Sequence, residues 1–152
     1  MINYIKDKDI FKSDCEVITN PINCVGIMGG GLALAFKNKF PKMYLKYKEM
    51  CAKHEIIPGK VYLVDGDEKH KVLLFPTKDH YKYMSRYKFI TGGLRSLVRQ
   101  YKDWGIKSIA LPALGCGLGG LDWIDVKHAI EYELKEIAED IQIDVYLPQE
   151  NN

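Results

Sequence analysis

No apolar run in this 152-residue chain approaches the roughly 18–20 residues that a bilayer-spanning helix needs, so no helical membrane anchor is expected. The opening Met1-Ile2-Asn3-Tyr4-Ile5-Lys6 starts like a strand. It lacks the apolar core and small-residue cleavage site of a secretory signal. Paired cysteines are missing too: Cys15, Cys24, Cys51 and Cys116 are scattered without CxxC spacing, and the Cys51/His54 CxxH pair has no counterpart elsewhere. Zinc is therefore not expected, and a reduced, cytoplasmic setting fits best. Net charge is nearly absent at +2, so bulk electrostatics neither demand nor exclude a nucleic acid. Repeats, low-complexity tracts and linkers are also missing. With 47% hydrophobic and 28% charged residues, the composition is that of a folded chain, and residues 1–152 read as one domain.

What the chain does have is two glycine-rich loops, each between a hydrophobic run and a helix-like segment. The first is Val25-Gly26-Ile27-Met28-Gly29-Gly30-Gly31-Leu32-Ala33 and the second Leu114-Gly115-Cys116-Gly117-Leu118-Gly119-Gly120-Leu121-Asp122. A glycine loop entering a helix lets backbone N–H groups and the helix dipole face an anion without side-chain obstruction. Two in one small domain suggest a diphosphate gripped from both sides. The first has a P-loop's glycine spacing, but Leu32-Ala33 stand where Lys and Ser/Thr are required, which argues against an NTPase. The second satisfies GxGxxG as a string. It lies near the C-terminus, however, whereas a dinucleotide-binding dehydrogenase carries that string on its first βα turn.

Strand-like runs recur at Ile2–Ile5, Glu16–Thr19, Lys60–Val64, Lys71–Phe75, Ser108–Leu111 and Ile141–Leu147, with helical patterns between them. Gly31–Lys39 is expected to be helical, and Pro41 suits the first residue of a second helix. Ser85 is a candidate cap for a helix with Phe89/Ile90, Leu94, Leu97/Val98 and Tyr101 on its buried face, closed by Gly105 after Trp104. Asp122 is the candidate cap of another, with a stripe of Trp123, Val126, Ile130, Leu134 and Ile137. This alternation predicts a three-layer α/β/α sandwich on a central mixed sheet. Both glycine loops then fall at strand ends, where open α/β sheets place ligands.

The segment Thr19-Asn20-Pro21-Ile22-Asn23, followed by Gly26 and Met28 to Ala33, resembles the first ligand loop of macrodomains, which bind ADP-ribose. Leu111 to Gly117 resembles their second diphosphate loop, and Lys8-Asp9-Ile10 is similar to their early Gly-Asp-Ile element, with lysine for the glycine. The resemblance runs from Ile5 to Tyr146. Phe75-Pro76-Thr77-Lys78-Asp79-His80, Ser85-Arg86 and Gly119-Gly120-Leu121-Asp122-Trp123 look like the DarG-type antitoxin subgroup, which removes ADP-ribose from thymidine bases in DNA. Terminal ADP-ribose protein glycohydrolases share the lysine and the Gly-Cys-Gly-Leu run. They carry an aspartate where this chain has Gly119.

The resemblance implies a hydrolase acting on ADP-ribosylated single-stranded DNA, with ADP-ribose as ligand or product, no other cofactor and no metal. A DNA ADP-ribosyltransferase toxin is an implied partner. Its alternatives are hydrolysis of ADP-ribosylated glutamate on proteins and a reader that binds ADP-ribose without turnover.

Lys78 is the implied catalytic residue. Its amine would attack the distal ribose at the anomeric carbon or stabilise the leaving group electrostatically; the bland alternative is a surface lysine at a strand end. The implied binding set is Asp9 and Ile10 toward adenine; Asn20, Asn23, Gly29, Gly30, Gly31 and Leu32 in the first loop; Thr77; Leu114, Gly115, Cys116, Gly117, Leu118 and Gly119 in the second; and Tyr146 as an adenine-stacking ring. Competing structural readings make Asn23 an Asx-turn residue, Asn20 a loop brace, Cys116 a small packing residue and Tyr146 part of the core. His80 is a candidate acid or base, or a bystander. Tyr81-Lys82-Tyr83-Met84-Ser85-Arg86-Tyr87 interleaves rings and cations, which suits a single strand: rings stack on bases while Lys82 and Arg86 meet phosphates.

Overall fold

The computed structural model describes residues 1–149. Six strands, β1 (Ile2–Ile5), β2 (Val17–Ile22), β3 (Tyr62–Asp65), β4 (Lys71–Pro76), β5 (Ser108–Leu111) and β6 (Gln142–Tyr146), form one mixed sheet. Its order is β1-β6-β5-β2-β4-β3, parallel throughout except for the edge strand β3, which runs antiparallel to β4. The α-helices are α1 (Gly31–Lys39), α2 (Pro41–Ala52), α3 (Tyr87–Gln100) and α4 (Trp123–Glu133).

Alternation along the strands splits the core in two, because successive side chains point to opposite faces of a sheet. Val17, Leu73, Phe75, Ile109, Leu111, Ile143 and Val145 pack under α3 and α4. Ile18, Ile22, Val72, Leu74 and Ala110 pack under α1 and α2. The result is the expected three-layer α/β/α architecture. On one side Phe75 seats α3 closely: a Cβ added at Gly93 would lie 2.4 Å from its ring.

The chain leaves β2 toward the α1/α2 layer and leaves β5 toward the α4 layer. Neighbouring parallel strands that depart to opposite faces open a crevice at their C-terminal ends. Here β2 and β5 pair only at Val17↔Ile109 and Ile18↔Ala110 before they part. That parting explains why β2 runs on through Pro21 rather than stopping at Thr19 as the sequence suggested. The Thr77 N–H donates to the Ile22 carbonyl at 2.9 Å, so Ile22 turns its polar groups toward β4. Pro21, one residue earlier, faces the side where β5 has already left, and its missing N–H removes no ladder bond.

Three further expectations need correcting. Ser85 does not cap α3; Arg86 occupies the cap position, with no side-chain bond. The Ser85 backbone N–H instead donates to the Gly119 carbonyl at 3.0 Å, which pulls it into the second glycine loop. The α4 helix stops at Glu133 although its apolar stripe continues, and Leu134 and Ile137 remain buried through a turn and a short 3-10 segment. Asp122 does cap α4, accepting from the Ile124 N–H at 3.1 Å. Strand β3 is displaced to Tyr62–Asp65 from the expected Lys60–Val64.

Candidate active site

Three loops meet at the C-terminal edge of the sheet: residues 23–30 after β2, 77–86 after β4, and 112–122 after β5. Lys78 lies where they join. The Cys24 N–H donates to the Asp79 carbonyl at 3.2 Å, and the Cys24 thiol to the Lys78 carbonyl at 3.6 Å. From the same residue, Nζ donates to the Leu118 carbonyl at 3.4 Å. Thr77 is buried as the last residue before this junction, with its N–H held by Ile22. The exposed Leu118 side chain crosses to the first loop, and a Cβ on Gly30 would meet its Cδ1 at 3.2 Å.

Both glycine loops present backbone donors with nothing to bind. Among the described residues, no N–H from Gly29 to Ala33 has an acceptor, and neither do those of Gly117, Leu118 and Gly119. The first series ends in the N-terminus of α1, whose cap position is Gly30 and carries no side-chain acceptor. Gly31 adopts φ +55° and Gly115 φ +75°, backbone conformations that cost other residues dearly. Orphan amides in two adjoining loops, one set backed by a helix dipole, are chemically suited to an anion.

The first loop is braced from below. Asn23 Oδ1 accepts from the Val25 N–H at 3.1 Å and from the Tyr47 hydroxyl at 2.6 Å, while Nδ2 donates to the Ile27 carbonyl at 2.6 Å. This is the Asx-turn arrangement, and it uses one of the two Nδ2 hydrogens of Asn23. Asn20 is 0% exposed. Its Nδ2 faces Met28 Sδ at 3.7 Å and Met43 Sδ at 3.9 Å, so it supports the loop from inside the core and does not line the cleft. Nothing in the sequence singled out Tyr47, whose hydroxyl matters only because α2 lies beneath this loop. Burial, with Cys51 beside it, pushes that hydroxyl's pKa up and keeps it a donor.

Leu114 is fully buried and anchors the start of the second loop in the core. Gly119 is sealed: a Cβ there would stand 2.2 Å from Ser85 Oγ and 2.4 Å from the Gly115 carbonyl oxygen. Gly117, by contrast, faces open space. Burial, reinforced by the Asp122 carboxylate, raises the half-buried Cys116 thiol to about 11, so it is protonated at neutral pH and poorly suited to nucleophilic attack.

At the far end of the cleft, the Asp9 carboxylate caps a 3-10 turn by accepting from the Phe11 N–H at 3.0 Å and remains exposed. Ile10 is buried beside it. Half-buried Tyr146 ends β6 and packs on the α1/α2 side of the core. From β6 to β4 is three strand spacings of roughly 4.8 Å, about 15 Å in all, a suitable span for an adenosine diphosphate with a second ribose.

Beyond Lys78 the loop carries an aromatic cluster. The His80 ring lies 4.3 Å from that of Tyr81 and 5.6 Å from that of Tyr83. His80 Nδ1 accepts from the Lys82 N–H at 3.1 Å, so this nitrogen is engaged within its own turn. Tyr81, Lys82, Tyr83, Met84 and Arg86 are exposed. Tyr87, read in the sequence only as the last ring of the aromatic and cationic stretch, ties this loop to α4: its hydroxyl accepts from the Asp122 N–H at 3.0 Å and donates to Asp125 Oδ2 at 3.3 Å. Among the described residues, no group of three or more His, Cys, Asp or Glu side chains is placed to hold a metal ion. No helix there is long and apolar enough to cross a membrane.

Residues 19–130 match the family model for the macro domain. The chain is a macrodomain. It is 42% identical over 160 residues to the DNA ADP-ribosyl transferase–DNA ADP-ribosyl glycohydrolase fusion protein of Thermosipho africanus, a match covering 93% of this chain and 41% of that one. A solved structure of Thermosipho africanus DarTG in complex with ADP-ribose superimposes with a TM-score of 0.91 at 40% identity, over 99% of this macrodomain and 43% of that chain. The macrodomain of Mycobacterium tuberculosis DarG superimposes with a TM-score of 0.93 at 36% identity, covering 98% and 99% of the two chains. The chain spans about two fifths of the length of the curated DNA ADP-ribosyl glycohydrolase relatives that it matches.

Proposed function

We propose that this macrodomain hydrolyses the bond between ADP-ribose and a thymidine base in DNA, restoring the base. The observation that carries the reading is the position of Lys78 Nζ, 3.4 Å from the Leu118 carbonyl, at the end of a double row of unspent amides. The amides of Gly29 to Ala33 and Gly117 to Gly119 hold the diphosphate, Asp9 and Tyr146 receive adenine, and the remaining Asn23 N–H donates to a distal-ribose hydroxyl. In this arrangement the Lys78 amine attacks the anomeric carbon of the distal ribose as the bond to the base breaks, and the base leaves with a proton. Water then adds to that carbon, the lysine–carbon bond breaks, and ADP-ribose departs with the amine regenerated.

Gly119 bears on the choice of substrate. Protein-directed relatives pair their lysine with an aspartate at this position, whereas here the space for a side chain is filled by Ser85 Oγ and the Gly115 carbonyl. The rim is furnished for a nucleic acid instead, with exposed Tyr81 and Tyr83 for stacking and Lys82 and Arg86 for phosphates. An unpaired strand, or a base flipped from a duplex, brings the adduct to Lys78. The fusion relative's name pairs the glycohydrolase with a DNA ADP-ribosyl transferase, which makes such an enzyme the partner we propose, with both acting in the cytoplasm.

The test is a time course with a single-stranded oligonucleotide bearing one ADP-ribosylated thymidine, using wild type and Lys78→Ala. Release of ADP-ribose by wild type alone supports the reading. Release only from ADP-ribosylated glutamate peptides, or tight ADP-ribose binding with no release from any conjugate, overturns it.

A further inference from the structure

We infer that the exposed face of α3 is the track for the DNA strand flanking the modified base. This rests on the DNA-directed reading of the site, and it adds where the rest of the strand lies. From His80 to Lys102 the chain has 23 residues with six lysines and arginines and no aspartate or glutamate. Ordinary solvated helix faces mix the signs of charge. Helix α2 does so: its Glu49 pairs with Lys53 at 2.8 Å.

The cations of α3 are also aligned. Lys88, Arg95 and Arg99 on the helix, and Lys102 in the turn after it, follow one another at intervals of seven, four and three residues, which places them on one stripe at 3.6 residues per turn. All four are exposed, while Ile90, Leu94, Leu97 and Tyr101 are buried on the opposite side. Arg95 is spent on Glu133, its Nε lying 3.2 Å from both carboxylate oxygens. Lys88, Arg99 and Lys102 enter no ion pair among the described residues. The stripe begins beside the site, where Lys82 and Arg86 follow Lys78, and runs toward the opposite edge of the sheet. The 14 residues of α3 extend it by about 21 Å. Phosphates entering at the aromatic rim thus meet successive cations along one line, a site at the low end of the roughly 4–16 nucleotides typical of single-strand grooves.

The test is fluorescence anisotropy with an unmodified oligo-dT of about 12 nucleotides, within the range of such sites. Lys88→Glu/Arg99→Glu/Lys102→Glu is compared with the same charge change at the end of α1 and along α2, Lys39→Glu/Lys42→Glu/Lys46→Glu. We expect the α3 variant to lose on the order of tenfold or more in affinity at low salt and about 2 from the slope of log K against log salt. The α1/α2 variant is expected to bind nearly as wild type does. Free ADP-ribose binding should be unchanged in both, and turnover of a flanked substrate should show a raised KM at constant kcat in the α3 variant alone.

A wild type that does not bind the oligonucleotide, equal losses in the two variants, or an unaffected α3 variant each overturn the track. Absence of ADP-ribose release from any DNA substrate overturns the proposed reaction, and the anisotropy result is read independently of it.

Discussion

Lys78 Nζ and the Leu118 carbonyl oxygen, 3.4 Å apart, join the loop after β4 to the second glycine loop, while the Lys78 carbonyl, through Cys24, holds the first. Only one of these links is lost when the side chain is cut back. Lys78→Ala should therefore fold and bind ADP-ribose with an affinity within a few-fold of wild type. Turnover should fall on the order of 100–1,000-fold, the scale for losing one group aimed at a transition state. Lys78→Arg separates the two roles of the amine, since it keeps the charge and removes the nucleophile. Calorimetry with ADP-ribose and single-turnover release measure both; substantial activity in Lys78→Arg would exclude attack by the amine.

Gly119 and Gly117 should behave differently although they are two residues apart. A methyl at 119 meets Ser85 Oγ and the Gly115 carbonyl, and one at 117 meets nothing within 4 Å. Gly119→Ala is expected to cost about 1–3 kcal/mol, as overpacking does. Gly117→Ala should stay within about 0.5 kcal/mol. Thermal melts of the two variants decide this, and equal melting temperatures would contradict the packing described for the loop.

Tyr47→Phe removes the hydroxyl that lies 2.6 Å from Asn23 Oδ1. The variant should lose about 0.5–1.5 kcal/mol of stability, the net value of one such bond. Its ADP-ribose affinity should also drop, because Asn23 then sets the turn with one support fewer. An unchanged dissociation constant would mean that the Asn23 turn does not need Tyr47.

Stability should decline at alkaline pH. Burial holds the Cys24 thiol at about 12, helped by the Asp79 carboxylate and by Cys51, and burial holds Cys15 and Cys116 at about 11. Unfolded thiols release their protons near pH 8.5. Above that value the native state retains protons that the unfolded state has lost, so this contribution is complete below about 8.5 and falls as pH rises toward the folded values. Melting temperatures measured from neutral pH to pH 10 should slope downward, and Cys24→Ala should flatten the slope. A level wild-type profile would contradict the assignment.

Local rules made much of the fold readable. Pro41 begins α2 and Asp122 caps α4 as their chemistry dictates, and the apolar periods locate all six strands within a few residues. Long-range geometry was not readable in this way. Whether a proline can continue a strand depends on where the neighbouring strand goes, and at Pro21 that is decided by β5, some ninety residues later. Ser85 reads as a helix cap until the Gly119 carbonyl is seen to take its N–H. Asn20 and Asn23 belong to the same motif, yet the pleat sends one into the core and the other into the loop, where Tyr47 meets it. The glycines and Lys78 could be picked out in advance because the motif carries them. Their convergence needed the parting of β2 and β5.

That parting has a mechanical consequence. The two glycine loops are rooted in different packing units, one built on α1 and α2 and the other on α3 and α4. A diphosphate held between them is a cross-tie between the two halves of the core. Its binding energy then opposes any opening that separates those halves, so occupancy of the cleft would be felt as rigidity well away from it, in helices that never touch the ligand.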